Sequence, residues 1–293
     1  MAKDMNDGAD PSLVNALNID VDDCVASALQ SYNRRWENIG YSPSVFRELE
    51  NVLDLFLKLG LGATLFFPGW VARARPDLVR RASGEGHEIG SHGYHHRIVS
   101  RSTPAEFRKD LRESLLVLRN ILGNPVTIFK APRWSIDENS LWAFDILAEE
   151  GIKIDCTARP RVKKRLGYRP DHNLPIRLDN GLFIIPPTSA TLFGLYTPLI
   201  TGGGWCSIAD RLGLRAKIIG RFRELNRRGV PFVFYFHPYE IKSFTTRGTA
   251  AKFHWEGFLY HLLAAERLGN FFLEVSREFP LATISRAFGR YVG

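Results

Sequence analysis

What most constrains this chain is an alternation: short β-forming runs recur between stretches that carry apolar residues at helical spacing. Leu13 to Val21 reads as a strand ending in the acidic cluster Asp20, Asp22 and Asp23. Val45, Leu49, Val52, Leu53, Phe56 and Leu57 mark a helix that Gly60 and Gly62 stop. Ala63–Phe67 and His87–Gly90 read as short buried strands, with a helix over Asp77–Ala82 between them. Thr103, Pro104 and Glu106 cap a helix that runs to about Leu122. Val126–Phe129, Ile152–Ile154, Leu182–Ile185 and Phe232–Phe236 are further strands, separated by a helix over Asp137–Glu150 and a long basic helix from about Ile208 to Arg228. Repeated strand–helix–strand units imply a parallel sheet with helices outside. Chemistry in such folds sits at the carboxyl ends of the strands.

The length, 293 residues, and a hydrophobic content of 45% suit a single domain over 13–293, behind a polar tail at 1–12 expected to be disordered. Cys24, Cys156 and Cys206 form no CxxC pair, which argues against a disulfide framework and a thiolate zinc cluster. No apolar run approaches a membrane span, so the expected compartment is the cytoplasm. The net charge of +8 reads as a solubilising surface, whereas the run Arg159, Arg161, Lys163, Lys164, Arg165 could meet phosphates or anionic lipid headgroups and so allow peripheral contact with a membrane or a lipid-linked substrate. No nucleic-acid signature accompanies them, and no nucleic-acid partner is expected.

Reactive side chains fall where the alternation places strand ends. Asp22 and Asp23 follow the first strand, and His92, Tyr94, His95 and His96 follow the third. Lys130 and Arg133 come next, then Asp155, then His237 after the apolar run FVFYF. His92 and His96, four apart beside Gly90 and Gly93, can share one cation. Of the adjacent carboxylates, one can bind that cation while the other faces an attacking water. Two imidazoles, a carboxylate and open positions make a hydrolytic metal geometry. His237, at the mouth of its strand, can protonate a departing amine.

The order VDD at 21–23, HGYHH at 92–96, KAP at 130–132, Asp155 and YFH at 235–237 resembles the polysaccharide deacetylases, the NodB-homology group known as carbohydrate esterase family four. GHEIGSHGYHH and YFHPYE are most similar to the branch associated with exopolysaccharide and exosortase systems. The resemblance covers roughly residues 14 to 285. It implies a deformed, incomplete (β/α) barrel of the α/β class, and one divalent metal ion, most commonly Zn2+. It also implies Asp23, His92 and His96 as metal ligands, Asp22 as general base and His237 as general acid, with Lys130 and Asp155 supporting catalysis. The backbone N–H of Arg133 matches the oxyanion donor. The implied activity is removal of acetyl from an N-acetylated sugar or glycan.

Departures accompany the likeness. Lys130 stands where the family has arginine, Pro160 where it has tryptophan and Cys24 where it has glycine. The acyl pocket then needs a wall from Trp134, Trp205 or Phe236, and Tyr94 and Trp134 are candidates to stack on a sugar ring. Gly202-Gly203-Gly204-Trp205 suits a loop lying close to substrate. Rival readings are an amidase or deformylase acting on a small or lipid-linked substrate, and a non-catalytic glycan-binding relative.

Overall fold

Each parallel strand must pass its chain to a returning segment, usually a helix, before the next strand can pair beside it. The computed structural model describes residues 13–22, 44–192, 195–197, 202–241 and 268–292. In chain order these form β1 (Asn15–Asp20), α1 (Ser44–Leu59), β2 (Thr64–Phe67), α2 (Gly69–Ala74), α3 (Pro76–Gly84) and β3 (Glu88–Ser91). Next come α4 (Pro104–Leu122), β4 (Ile128–Phe129), α5 (Trp142–Glu149), β5 (Ile154–Asp155) and α6 (Pro160–Arg165). Strands β6 (Ile176–Arg177), β7 (Phe183–Ile184), β8 (Ala190–Leu192) and β9 (Leu195–Thr197) precede α7 (Gly203–Arg211), α8 (Arg215–Arg227) and β10 (Val233–Phe236). Helical residues 268–278 (α9), β11 (Leu281–Ala282) and α10 (Ile284–Val292) complete the described chain.

The main sheet runs β10-β1-β2-β3-β4-β5-β7-β6, parallel except for β6, which is antiparallel to β7. Between β7 and β10 side chains span the gap: the Val233 N–H donates to Thr188 Oγ1 at 2.7 Å. The sheet therefore curls into an incomplete barrel, as the sequence implies. Period-two alternation sorts its residues. Leu17, Ile19, Phe67, Phe234 and Phe236 face outward into a core with Val45, Leu49, Phe56 and Phe272. Ala16, Phe66, Ile128, Ile154 and Val233 pack with Ile284, Ala287 and Phe288 of α10. The N–H of Ile284 donates to Thr64 Oγ1, on the first residue of β2. Helix α10 thus closes the amino end of the barrel, and the carboxyl end is left for chemistry. Each buried leucine, isoleucine, valine or phenylalanine among these contributes roughly 1.5–3 kcal/mol.

The capped helix starts as expected: Thr103 Oγ1 accepts from the Glu106 N–H, Glu106 Oε2 accepts from the Thr103 N–H, and Gly123 (φ 77°) ends it. The long basic helix is corrected. It breaks at Gly213 (φ 70°) into α7 and α8, because a left-handed residue cannot continue a right-handed helix. The basic run is corrected too. Lys163 is fully buried, its Nζ donating to the His172 carbonyl (2.7 Å) and Ser189 Oγ (2.9 Å), while Arg159, Arg161, Lys164 and Arg165 stay exposed. The tail at 1–12 lies outside the described residues. Among those described, no helix is long and apolar enough to cross a membrane.

Candidate active site

The first strand supplies interior polar groups at every second position: Asn18, Asp20 and, one step past the strand, Asp22. Each is buried. Asp22 Oδ2 lies 3.0 Å from His96 Nε2, and its Oδ1 lies 3.5 Å from His92 Nε2. Burial alone would raise the Asp22 carboxyl, but the imidazoles of His96 and His92 outweigh it and hold it well below the ordinary carboxylate range. The carboxylate facing the two imidazoles is therefore Asp22, where the family likeness pointed to Asp23. Asp23 and Cys24 lie outside the described residues.

The loop after β3 orients the imidazoles. His92 Nδ1 is 2.6 Å from the Lys130 carbonyl, which can only accept, so Nδ1 carries the proton and Nε2 turns its lone pair to Asp22. Burial lowers the His92 pKa to about 4, so the ring is neutral at pH 7. His96 reaches the same carboxylate from a left-handed backbone (φ 55°), a conformation that costs a non-glycine residue roughly 1–2 kcal/mol. Arg133 (φ 54°) and Trp134 (φ 50°) are the other two such residues among those described, and both follow β4 at this same end. Strain of this kind persists where surrounding structure imposes it, commonly at functional sites.

One oxygen and two nitrogens, all within 4.8 Å of one another and buried, form this cluster. Donors held about 2.0–2.1 Å from a tetrahedral cation lie roughly 3.3 Å apart, close to the observed 3.0 and 3.5 Å. His92 Nε2 is buried with no hydrogen-bond partner among the described residues, as a lone pair reserved for a cation would be. The residues fit a divalent metal.

Lys130, also buried, extends along the interior. Its Nζ donates to both oxygens of Asp20 at 2.7 Å and to Asn18 Oδ1 at 3.2 Å. The ammonium lies 4.5 Å from the Tyr235 ring centroid and 4.9 Å from that of Trp134. Lys130 thus grips Asp20, not Asp22. The carboxylate that Lys130 grips stands two residues before Asp22, and period-two alternation along β1 is the signal that would have found it.

His237 stands at the end of β10. Its Nε2 is 3.6 Å from Asp22 and 3.9 Å from Asp20, and its Nδ1 is 2.8 Å from Glu240 Oε2. Glu240 also accepts the His237 backbone N–H at 2.8 Å. Burial lowers the imidazole's proton affinity, but Glu240, Asp22 and Asp20 more than offset it, and the pKa rises to about 9. The glycine run packs behind this pair. A Cβ on Gly202 would overlap the Tyr235 ring, and one on Gly203 would overlap the Glu240 carboxylate. Close approach, rather than substrate contact, is what these two glycines provide.

Other expected residues are placed differently. Asp155 is fully buried and accepts from the Thr157 N–H (2.9 Å) and hydroxyl (2.6 Å), while Thr157 Oγ1 accepts the Ala131 N–H. It therefore braces the loop that carries Arg133 and Trp134. Tyr94 is buried, with its hydroxyl accepting from Arg73 Nη1 at 3.0 Å, which does not suit a sugar platform. Phe236 belongs to the outer core and gives no pocket wall. Trp134 remains half-buried beside Tyr235. Trp205 lies in α7, and its side chain is outside the described set. Glu240 had a legible signal in the HxxE spacing of YFHPYE, and Asn18 in the same period-two alternation that marks Asp20.

A family model described as polysaccharide deacetylase matches residues 43–152. The peptidoglycan-N-acetylglucosamine deacetylase of Bacillus cereus is 25% identical over 116 residues, 36% of this chain and 42% of that protein. The peptidoglycan deacetylase of Helicobacter pylori is 29% identical over 143 residues, 48% of this chain and 47% of that one. The chain thus spans under half the length of these curated relatives. A Mycobacterium smegmatis structure assigned to the polysaccharide deacetylases superposes with a TM-score of 0.62 at 20% identity, covering 97% of this chain and 91% of that one. At that identity the superposition speaks to the fold. The family match over residues 43–152, the curated relatives and the shared barrel together support a NodB-type polysaccharide deacetylase.

Proposed function

We propose that the protein is a metal-dependent N-deacetylase that hydrolyses the acetamide of an N-acetylamino sugar in a glycan or glycoconjugate. The observation carrying this reading is the convergence of Lys130–Asp20 and Glu240–His237 on the Asp22, His92, His96 cluster. The names of the two peptidoglycan deacetylases support an acetylated sugar as substrate. Asp22, His92 and His96 would hold the cation, Zn2+ by this donor set, which when bound polarises the amide carbonyl and acidifies water. Asp20 takes the proton of the attacking water, with Lys130 fixing its carboxylate. This moves the base from Asp22 to Asp20. His237, protonated at neutral pH and oriented through Nδ1 by Glu240, delivers a proton from Nε2 to the leaving nitrogen. The backbone N–H of Arg133 is the proposed donor to the developing oxyanion. Trp134 is the proposed sugar-facing aromatic.

Incubation with a chelator is expected to abolish turnover of N-acetylated oligosaccharides, read by mass spectrometry as loss of one acetyl per product, and added Zn2+ to restore it. Persistent turnover in metal-free protein would overturn the reading. Arg159, Arg161, Lys164 and Arg165 suit a narrower version in which the glycan is lipid-linked. Salt-sensitive sedimentation with anionic vesicles tests it.

A further inference from the structure

We propose that Asp110, on α4, is the positioning residue that shapes the metal-binding loop; this rests on the metal reading above. Asp110 is buried, and its two oxygens accept consecutive backbone N–H groups, Tyr94 at 2.7 Å and His95 at 3.1 Å. Two successive N–H groups that point the same way make an anion-binding concavity, which the left-handed Gly93 (φ 73°) creates here. The approach is close enough to demand glycine, since a Cβ on Gly93 would sit 2.8 Å from Asp110 Oδ2.

The loop's remaining backbone groups are held from the opposite side. The N–H of Gly69 donates to the Gly93 carbonyl at 2.8 Å, and that of Trp70 to the Tyr94 carbonyl at 3.3 Å. The His92 N–H donates to the Phe67 carbonyl, and the Gly93 N–H to Ser91 Oγ. A buried carboxylate is costly unless its acceptors are used. Asp110 uses both on the segment joining His92 to His96, with Arg97 Nε 3.5 Å from Oδ1. His92 and His96 do not face one cation through helical spacing, because Gly93 and His96 both have positive φ. Their convergence depends on a template outside the loop, and Asp110 supplies it from a helix fixed by its own capping box.

Co2+ binding to the full chain tests this, with affinity measured by chelator competition and the visible d–d spectrum recorded at saturation. Asp110→Asn keeps the volume but presents an NH2 group to two N–H donors. It is expected to weaken Co2+ affinity about 10–100-fold, the range for groups that orient metal ligands, and to change the d–d band, with near-UV circular dichroism of the metal-free protein unchanged. Asp110→Glu is expected to recover part of the affinity. If Asp110→Asn lacks the native near-UV signal, Gly93→Ala takes its place, since it displaces the carboxylate from the loop side. Wild-type affinity and spectrum in a folded Asp110→Asn would overturn the proposal while the metal reading stands. No Co2+ binding by the wild-type chain would overturn both.

Discussion

Lys130 Nζ is equidistant from the two oxygens of Asp20, at 2.7 Å each, and both side chains are buried. The same residue's carbonyl fixes the tautomer of His92. One position thus sets both the proposed base and a proposed metal ligand. The Lys130 ammonium sits among the rings of Phe66, Trp134 and Tyr235. A planar guanidinium is bulkier than an ammonium and would crowd these rings. Removing the cation leaves a buried carboxylate uncompensated. Lys130→Met is expected to lower stability by about 3–5 kcal/mol in urea denaturation at neutral pH. Lys130→Arg is expected to lose activity through displaced Trp134 or Tyr235, visible as a changed near-UV spectrum.

The two carboxylates at the end of β1 should separate cleanly by mutation. Asp20→Asn is expected to keep metal stoichiometry near wild type while the turnover rate falls by about 10²–10⁴-fold, the range for a lost general base. Asp22→Asn should instead lose the metal, because it removes the anionic donor between His92 and His96. Metal analysis of the two purified variants decides it. Full metal occupancy in Asp22→Asn would return the ligand role to Asp23.

The alternation of strand and helix was legible because it depends on local pattern, and so was the placement of His92, His96, Lys130 and His237 just past strand ends. Asp20 was missed although β1 alternates cleanly: Asn18, Asp20 and Asp22 share the interior face, and the adjacent pair Asp22-Asp23 drew attention instead. Asp110 was not legible. It lies in the middle of an amphipathic helix, and its partners are backbone N–H groups fifteen and sixteen residues away. Lys163 was read as surface because charge runs usually are. Its burial depends on the His172 carbonyl and Ser189, whose approach no local pattern encodes.

Asp155 should give the protein a distinctive pH dependence. Burial raises its pKa to about 7, against the Thr157 hydrogen bonds that oppose the shift, while the unfolded chain keeps the ordinary value near 3.8. Between those values the folded state holds a proton that the unfolded state has released. Stability contributed by this group is therefore full below pH ~4 and lost as pH rises toward 7, by at most roughly 4 kcal/mol at 1.36 kcal/mol per unit. Asp155→Asn, which keeps an acceptor for Thr157, is expected to flatten that slope. Urea midpoints compared between pH 4.5 and 7.5 test it; an unchanged slope in the variant would remove Asp155 as its source.

The glycine run offers a test of the proposed acid that leaves the metal alone. Gly203 begins α7 at φ 34°, and a methyl there would overlap both oxygens of Glu240, a buried side chain with little room to retreat. Glu240 is what holds His237, through the backbone N–H and Nδ1, both at 2.8 Å. Gly203→Ala should therefore shift the imidazole without touching Asp22, His92 or His96. Misplacing a proton donor by about 1 Å costs on the order of 10²-fold in rate. Turnover is expected to fall by that order with Co2+ affinity within about twofold of wild type. Glu240→Gln should follow the same pattern. Equal losses of metal affinity and turnover would mean that the β10 end and the metal cluster are one mechanical unit, and His237 could not then be assigned the proton transfer from these variants.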